Sequence, residues 1–169
     1  MKLENNYKRR FALASMIALV LVFAIQGCGS KEEKVGKFIK KGDQLLSEGD
    51  VAKALLEYKN AVQLDPKSAP ARYALGKGYI QQKEPRQAFA AFREAVDLKP
   101  DFDEARLDLA FLLSLSGAGQ EALDELDKIK NFQAAQPKSS LIKSRAFMNM
   151  KRFDEAITEL TAIRDGERN

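Results

Sequence analysis

The chain has 169 residues, 45% of them apolar and 31% charged, a balance that fits one ordinary folded domain and argues against disordered or fibrous chains. It has no His, no Trp and a single Cys, which removes Ser-His-Asp and Cys-His machinery, most zinc sites, internal disulfides and paired-cysteine redox motifs. The net charge of +4 is local: residues 1–27 hold Lys2, Lys8, Arg9 and Arg10 against Glu4, which leaves 24 basic and 23 acidic side chains elsewhere, and no long basic run that would contact nucleic acid.

The first element is a polar start ending in Lys8-Arg9-Arg10, followed by an apolar run over residues 11–25 broken only by Ser15. Fifteen residues are too few to cross a bilayer, which takes about 20. A basic start, a short apolar core and small residues after it read as a secretory signal peptide over 1–27. Ile25-Gln26-Gly27-Cys28 then resembles the lipobox of bacterial lipoproteins, with Ile25 at −3 and Gly27 at −1. Gln26 departs from the small residue usual at −2. The resemblance implies cleavage between Gly27 and Cys28 and acylation of Cys28, which anchors the chain in a membrane; several acyl chains are needed to hold a protein stably. Gly29, rather than an Asp, follows the cysteine, which implies the outer membrane, facing the periplasm. Residues 28–34 form a short tether, at most ~23 Å when extended.

From residue 35 the sequence repeats every 34 residues. Ala54, Ala88, Ala122 and Ala156 share one phase. Tyr58, Phe92, Leu126 and Leu160 follow four residues later, and Gly42, Gly76, Ala110 and Ser144 stand twelve earlier. Leu45, Tyr79, Leu113 and Phe147 stand nine earlier, and Pro66 and Pro100 are again 34 apart. The predicted helices are 35–48 and 52–64, 69–82 and 86–98, 103–116 and 120–132, 138–150 and 153–164. Gly49-Asp50 and Gly117-Ala118-Gly119 mark turns, and Pro85 suits the first turn of a helix. Small residues at 42, 76, 54, 88, 122 and 156 allow two helices to approach, while Tyr58 and Phe92 fill the volume between them.

This pattern resembles the tetratricopeptide repeat (TPR), most fully in Leu75-Gly76, Tyr79, Ala88, Phe92 and Pro100, with Arg72 where a Trp is usual. Units three and four have Ala134 and Arg168 in place of the terminal proline. The resemblance implies an all-α solenoid, a right-handed superhelix of four helix-turn-helix units at 35–68, 69–102, 103–136 and 137–169, with first helices lining a concave, protein-binding face. Carried over by repeat phase, that face holds Ile39, Asp43, Leu46 and Ser47; Tyr73, Lys77, Ile80 and Gln81; Leu107, Phe111 and Ser114; and Leu141, Arg145 and Met148. Tyr73 and Phe111 either pack between first helices or stand exposed as anchors for a ligand. Lys77 and Arg145 read as solvated face residues more than as contacts. The carboxylate clamp of chaperone-tail binders is not expected, because its positions hold Ile39, Asp43, Ala74, Glu104 and Asp108.

Acidic clusters at Asp101-Asp103-Glu104 and Glu121-Asp124-Glu125 read as solvent faces and helix-start charges. The expectation is therefore no enzyme, no metal, no cofactor and no small-molecule substrate; the partner is a protein or peptide. Residue 169 falls near the end of the fourth repeat without a polar capping helix, which implies a longer product or a partner over Ile157, Leu160 and Ile163, with the last helix the least ordered. Residues 41–80 resemble the TPR lipoproteins of exosortase (PEP-CTERM) and exopolysaccharide export loci. A pilotin-like lipoprotein for pilus or secretin assembly, and a recruiting arm for a downstream catalytic domain, are the alternatives.

Overall fold

The computed structural model describes residues 30–130 and 137–166, which hold eight α-helices and no strand. Residues 1–27 with the Gly27–Cys28 processing site, Ala134 and Arg168 lie outside the described residues. The helices are α1 Lys31–Ser47, α2 Val51–Leu64, α3 Ala69–Gln81, α4 Pro85–Leu98, α5 Asp103–Leu115, α6 Gly119–Leu126, α7 Lys138–Asn149 and α8 Phe153–Gly166. Within the compact unit from Val35 onward they pack as successive antiparallel pairs, each second helix also meeting the first helix of the next pair.

Local chemistry sets the boundaries. The Asp50 carboxylate accepts from the Lys53 amide at 3.1 Å and caps α2, and the Ser68 hydroxyl accepts from the Ala71 amide at 3.3 Å and caps α3. Helix α1 starts four residues before the predicted position, so Lys31–Lys34 are helical instead of extended. The cause is Ser30, whose hydroxyl accepts from the Glu33 amide at 3.0 Å, together with Glu32 and Glu33 at the positive end of the helix. Helix α6 ends at Leu126, well short of the predicted 132. There the Lys130 amide donates to the Asp103 carboxylate at 3.3 Å, an alternative to a helical carbonyl. Ile129 is nevertheless buried.

The turn inside every unit uses one left-handed residue: Gly49 (φ 84°), Lys83 (φ 64°), Gly117 (φ 89°) and Lys151 (φ 60°). These positions are 34 apart, so two lysines adopt a conformation that glycine adopts without steric cost.

Ala54, Ala88, Ala122 and Ala156 are all buried, as are Tyr58, Phe92 and Leu126. A methyl on Gly42 would stand 2.4 Å from Tyr58 Cε1, and one on Gly76 would stand 2.4 Å from Phe92 Cε1. Glycine opposes a ring in units one and two. In unit three Ala110 and Leu126 occupy the same two places in one core cluster. Arg106 stands where the repeat usually has Trp, and it is buried. Its guanidinium donates to the Pro100 carbonyl at 2.5 Å and to the Glu125 carboxylate, tying the turn between units to α6.

Candidate protein-binding groove

The first helices α1, α3, α5 and α7 together line a cleft of about 230 Å³, into which Leu46, Ile80, Phe111 and Leu112 project with Lys77, Gln81, Asp108 and Lys138. Apolar side chains form most of its wall, Phe92 of α4 among them, and its three charged residues, Lys77, Asp108 and Lys138, belong to two polar rungs.

The first rung joins α1 to α3. Asp43 Oδ1 accepts from the Tyr58 hydroxyl at 2.7 Å and from Lys77 Nζ at 3.2 Å. The Lys77 ammonium also lies 5.6 Å from the centre of the Tyr73 ring. The second rung joins α3, α5 and α7. Asp108 accepts from the Tyr73 hydroxyl at 3.0 Å through Oδ2 and from Lys138 through Oδ1, and Lys138 lies 5.8 Å from the centre of the Phe111 ring. Each acid thus takes one phenol and one ammonium, and each ammonium covers an aromatic face. Burial holds the Tyr58 phenol well above the ordinary tyrosine range, and its hydrogen bond to Asp43 adds to the shift. Burial acts likewise on Tyr73, reinforced by the negative charge of Asp108.

The predicted groove positions separate into three groups. Ile80, Gln81, Phe111, Leu141, Arg145 and Met148 are exposed, with Phe111 at 37%. Ile39, Leu46, Tyr73 and Leu107 are half-buried and pack against core clusters. Tyr73 sits between the rings of Phe92 and Phe102, at centroid distances of 5.6 and 5.0 Å, so it packs between helices. Ser114 is a correction: it is 1% exposed and cannot line the face. Its hydroxyl donates to the Phe111 carbonyl, and its own carbonyl accepts from the Asn149 side chain at 2.7 Å. Lys77, read as a solvated face residue, is held by Asp43 and Tyr73. Asp43 and Ser47 are exposed on α1.

Sequence phase missed Lys138. It reaches Asp108 across 30 residues, outside the 34-residue register; the signal available was a lysine in the first turn of the fourth unit. Phase also missed a larger cleft of about 630 Å³ where α4 begins beside the end of α5, lined by Pro85, Phe89, Leu112, Leu115 and Ala118 with Arg86 and Glu121. Among the described residues no group of three or more His, Cys, Asp or Glu is placed to hold a metal ion.

A stack of antiparallel helix pairs in a 34-residue register, with one lined face, is the all-α TPR fold of a protein–protein interaction scaffold. Family models described as TPR repeat and tetratricopeptide repeat match residues 42–83 and 79–143. The DnaJ homolog subfamily C member 3 of Bos taurus is 28% identical over 129 residues, covering 73% of this chain and 25% of that protein. The chain thus matches about a quarter of the length of its curated relatives. The crystal structure of MamA protein superposes with a TM-score of 0.68 at 22% identity, covering 80% of this chain and 74% of that one. The TPR2B domain of yeast Sti1, solved as a complex with pHsp70, superposes with a TM-score of 0.62 at 16% identity, covering 69% and 98%. The structural likenesses establish the fold.

Proposed function

We propose that this chain is a non-enzymatic scaffold, anchored by acylated Cys28 in a bacterial envelope membrane, the outer one facing the periplasm, and that it binds a protein or peptide across its first helices during assembly of an envelope export system. The observation that carries the binding role is the cleft shared by α1, α3, α5 and α7, with Leu46, Ile80 and Phe111 as apolar seats between two polar rungs. A mixed apolar and charged trough fits an extended peptide or a partner helix better than a small polar metabolite. That Sti1's domain was solved with pHsp70 supports a peptide ligand for this fold. The clamp positions Ile39, Asp43, Ala74, Glu104 and Asp108 argue for a ligand other than a carboxylate-ended tail, since no base stands at them. Exopolysaccharide export of the exosortase-associated kind is the system that the run over residues 41–80 favours.

Two experiments test this. Cys28→Ala should abolish palmitate labelling in cells and leave an unprocessed precursor; labelling that persists overturns the anchor. A photo-crosslinker at position 111 should capture an envelope protein, whereas one at Glu94, exposed on α4, should not. Equal capture from both positions overturns the groove as the binding site.

A further inference from the structure

Helices α4 and α6 both pack on α5, and the cleft of about 630 Å³ opens between their first turns, over the end of α5. Its floor is apolar, formed by Phe89, Leu112, Leu113 and Leu115, with Leu115 50% exposed. The Ser116 hydroxyl at its edge donates to the Leu113 carbonyl at 2.9 Å. Opposite charges stand on the two walls, Arg86 on α4 and Glu121 on α6. Among the described residues no hydrogen bond or ion pair joins either side chain to another group. The neighbouring charges keep this polarity. Arg93, 5.4 Å from the centre of the Phe89 ring, extends the basic wall, and Asp124 extends the acidic one. Lys83 and Glu84, in the turn before α4, offset each other. Further along, Glu94 is held by Arg72 at 2.6 Å and Glu125 by Lys128 at 3.0 Å, and Asp97 stands in the last turn of α4. The equivalent junctions are built differently. One repeat earlier, Ala52, Gln87 and Gln81 take the places of Arg86, Glu121 and Leu115. One repeat later those places hold Gln120, Glu155 and Asn149. There Gly119 lies so close to α7 that a methyl on it would stand 2.6 Å from the Ala146 carbonyl oxygen. The cleft has a unit packed on either side, so both of its walls are complete.

We infer that this cleft docks an amphipathic helix of a partner protein, as a second interaction surface apart from the groove. An apolar floor between walls of opposite sign is complementary to a helix whose apolar stripe has acids along one edge and bases along the other. The acids face Arg86 and the bases face Glu121, so charge selects the partner while Leu115 and Phe89 take its apolar side chains. An extended peptide sends successive side chains to opposite faces and cannot present a stripe together with both edges. Leu112 borders both this cleft and the groove, so the two surfaces are told apart at Leu115 and Phe111.

The test uses the full 169-residue chain in phosphatidylcholine nanodiscs, which take up the apolar run over residues 11–25. The probe is a synthetic stapled helix of about 18 residues, long enough to hold its fold, with a leucine stripe edged by glutamates on one side and lysines on the other. Two companion probes carry glutamates on both edges or lysines on both edges. Fluorescence anisotropy should rank the mixed probe first, by about threefold over each companion. Arg86→Glu should give first place to the all-lysine probe, and Glu121→Arg added to it should return first place to the mixed probe. Leu115→Gln, the residue found one repeat earlier, should weaken the mixed probe about tenfold. All three substituted side chains are exposed, and circular dichroism checks that helicity is kept. A photo-crosslinker at position 115 should join the mixed probe. No binding of the mixed probe, or a ranking of the three probes that the charge variants leave unmoved, would overturn the inference. So would a probe that Phe111→Ala weakens more than Leu115→Gln, which would seat it in the groove. Adducts from position 115 to a second copy, to residues 1–29 of the same chain or to lipid, in place of the probe, would give the cleft to those occupants and overturn it as well.

Discussion

Gly76→Ala is the substitution whose outcome the packing fixes most tightly. The added methyl would stand 2.4 Å from Phe92 Cε1 and 2.5 Å from Cδ1, far inside van der Waals contact. Phe92 is 1% exposed, so its ring has nowhere to retreat and α3 must move off α4. Overpacking of this kind costs about 1–3 kcal/mol, and replacing a mid-helix glycine by alanine returns about 1 kcal/mol of helix propensity. The net expectation is a loss of about 1–2 kcal/mol. Phe92→Leu alone leaves a void opposite the glycine and costs about 2 kcal/mol. Together the two changes recreate the Ala110–Leu126 pair of unit three, so the double variant should be more stable than the sum of the singles by about 2 kcal/mol. Urea titrations of all four proteins, followed by far-UV circular dichroism, measure that coupling. Singles that add to within about 0.5 kcal/mol would refute the close approach of α3 to Phe92 as the reason for the glycine.

Other perturbations have equally definite signs. Lys83→Gly and Lys151→Gly relieve the left-handed strain of the turns and should each raise the urea midpoint, while Gly117→Lys should lower it, each by about 1 kcal/mol. Glu125→Ala strands the buried Arg106 guanidinium and should cost about 3 kcal/mol in the same titration, whereas replacing the pair together by Arg106→Met and Glu125→Leu should cost much less. The raised Tyr58 and Tyr73 phenols keep their protons in the fold, while the unfolded chain loses them near pH ~10. Above that pH the folded state therefore holds more protons, and stability falls as pH rises. Ultraviolet titration of Tyr58→Phe and Tyr73→Phe variants against the parent should show that these two phenols ionise only as helicity is lost; their ionisation with the helices intact would contradict this.

The fold is legible because helix pairs in a solenoid must repeat their contacts at one interval. Ala54, Ala88, Ala122 and Ala156 land on four buried positions, and Asp50 and Ser68 announce helix starts through their own side chains. Less legible are places where a side chain leaves the register. Ser114 shares its phase with the exposed Ile80 and Met148, but bonds made through Phe111 and Asn149 draw it inside. Lys83 and Lys151 reveal nothing of their positive φ by residue type; only their alignment with Gly49 and Gly117 does. The early end of α6 rests on a bond between Lys130 and Asp103, 27 residues apart. The groove was legible as a face but not as a network. Its rungs run from 43 to 77, 73 to 108 and 108 to 138, and two of those three intervals differ from the repeat length.

The most direct measurement of the groove's role is calorimetric titration with the partner captured from position 111. Phe111→Ala, which removes the exposed ring beneath Lys138, should weaken binding by about 2 kcal/mol, or roughly thirtyfold, while Leu56→Ala on α2 leaves it unchanged. Equal affinities for the wild type and Phe111→Ala, or a larger loss for Leu56→Ala, would place the ligand elsewhere and contradict the account.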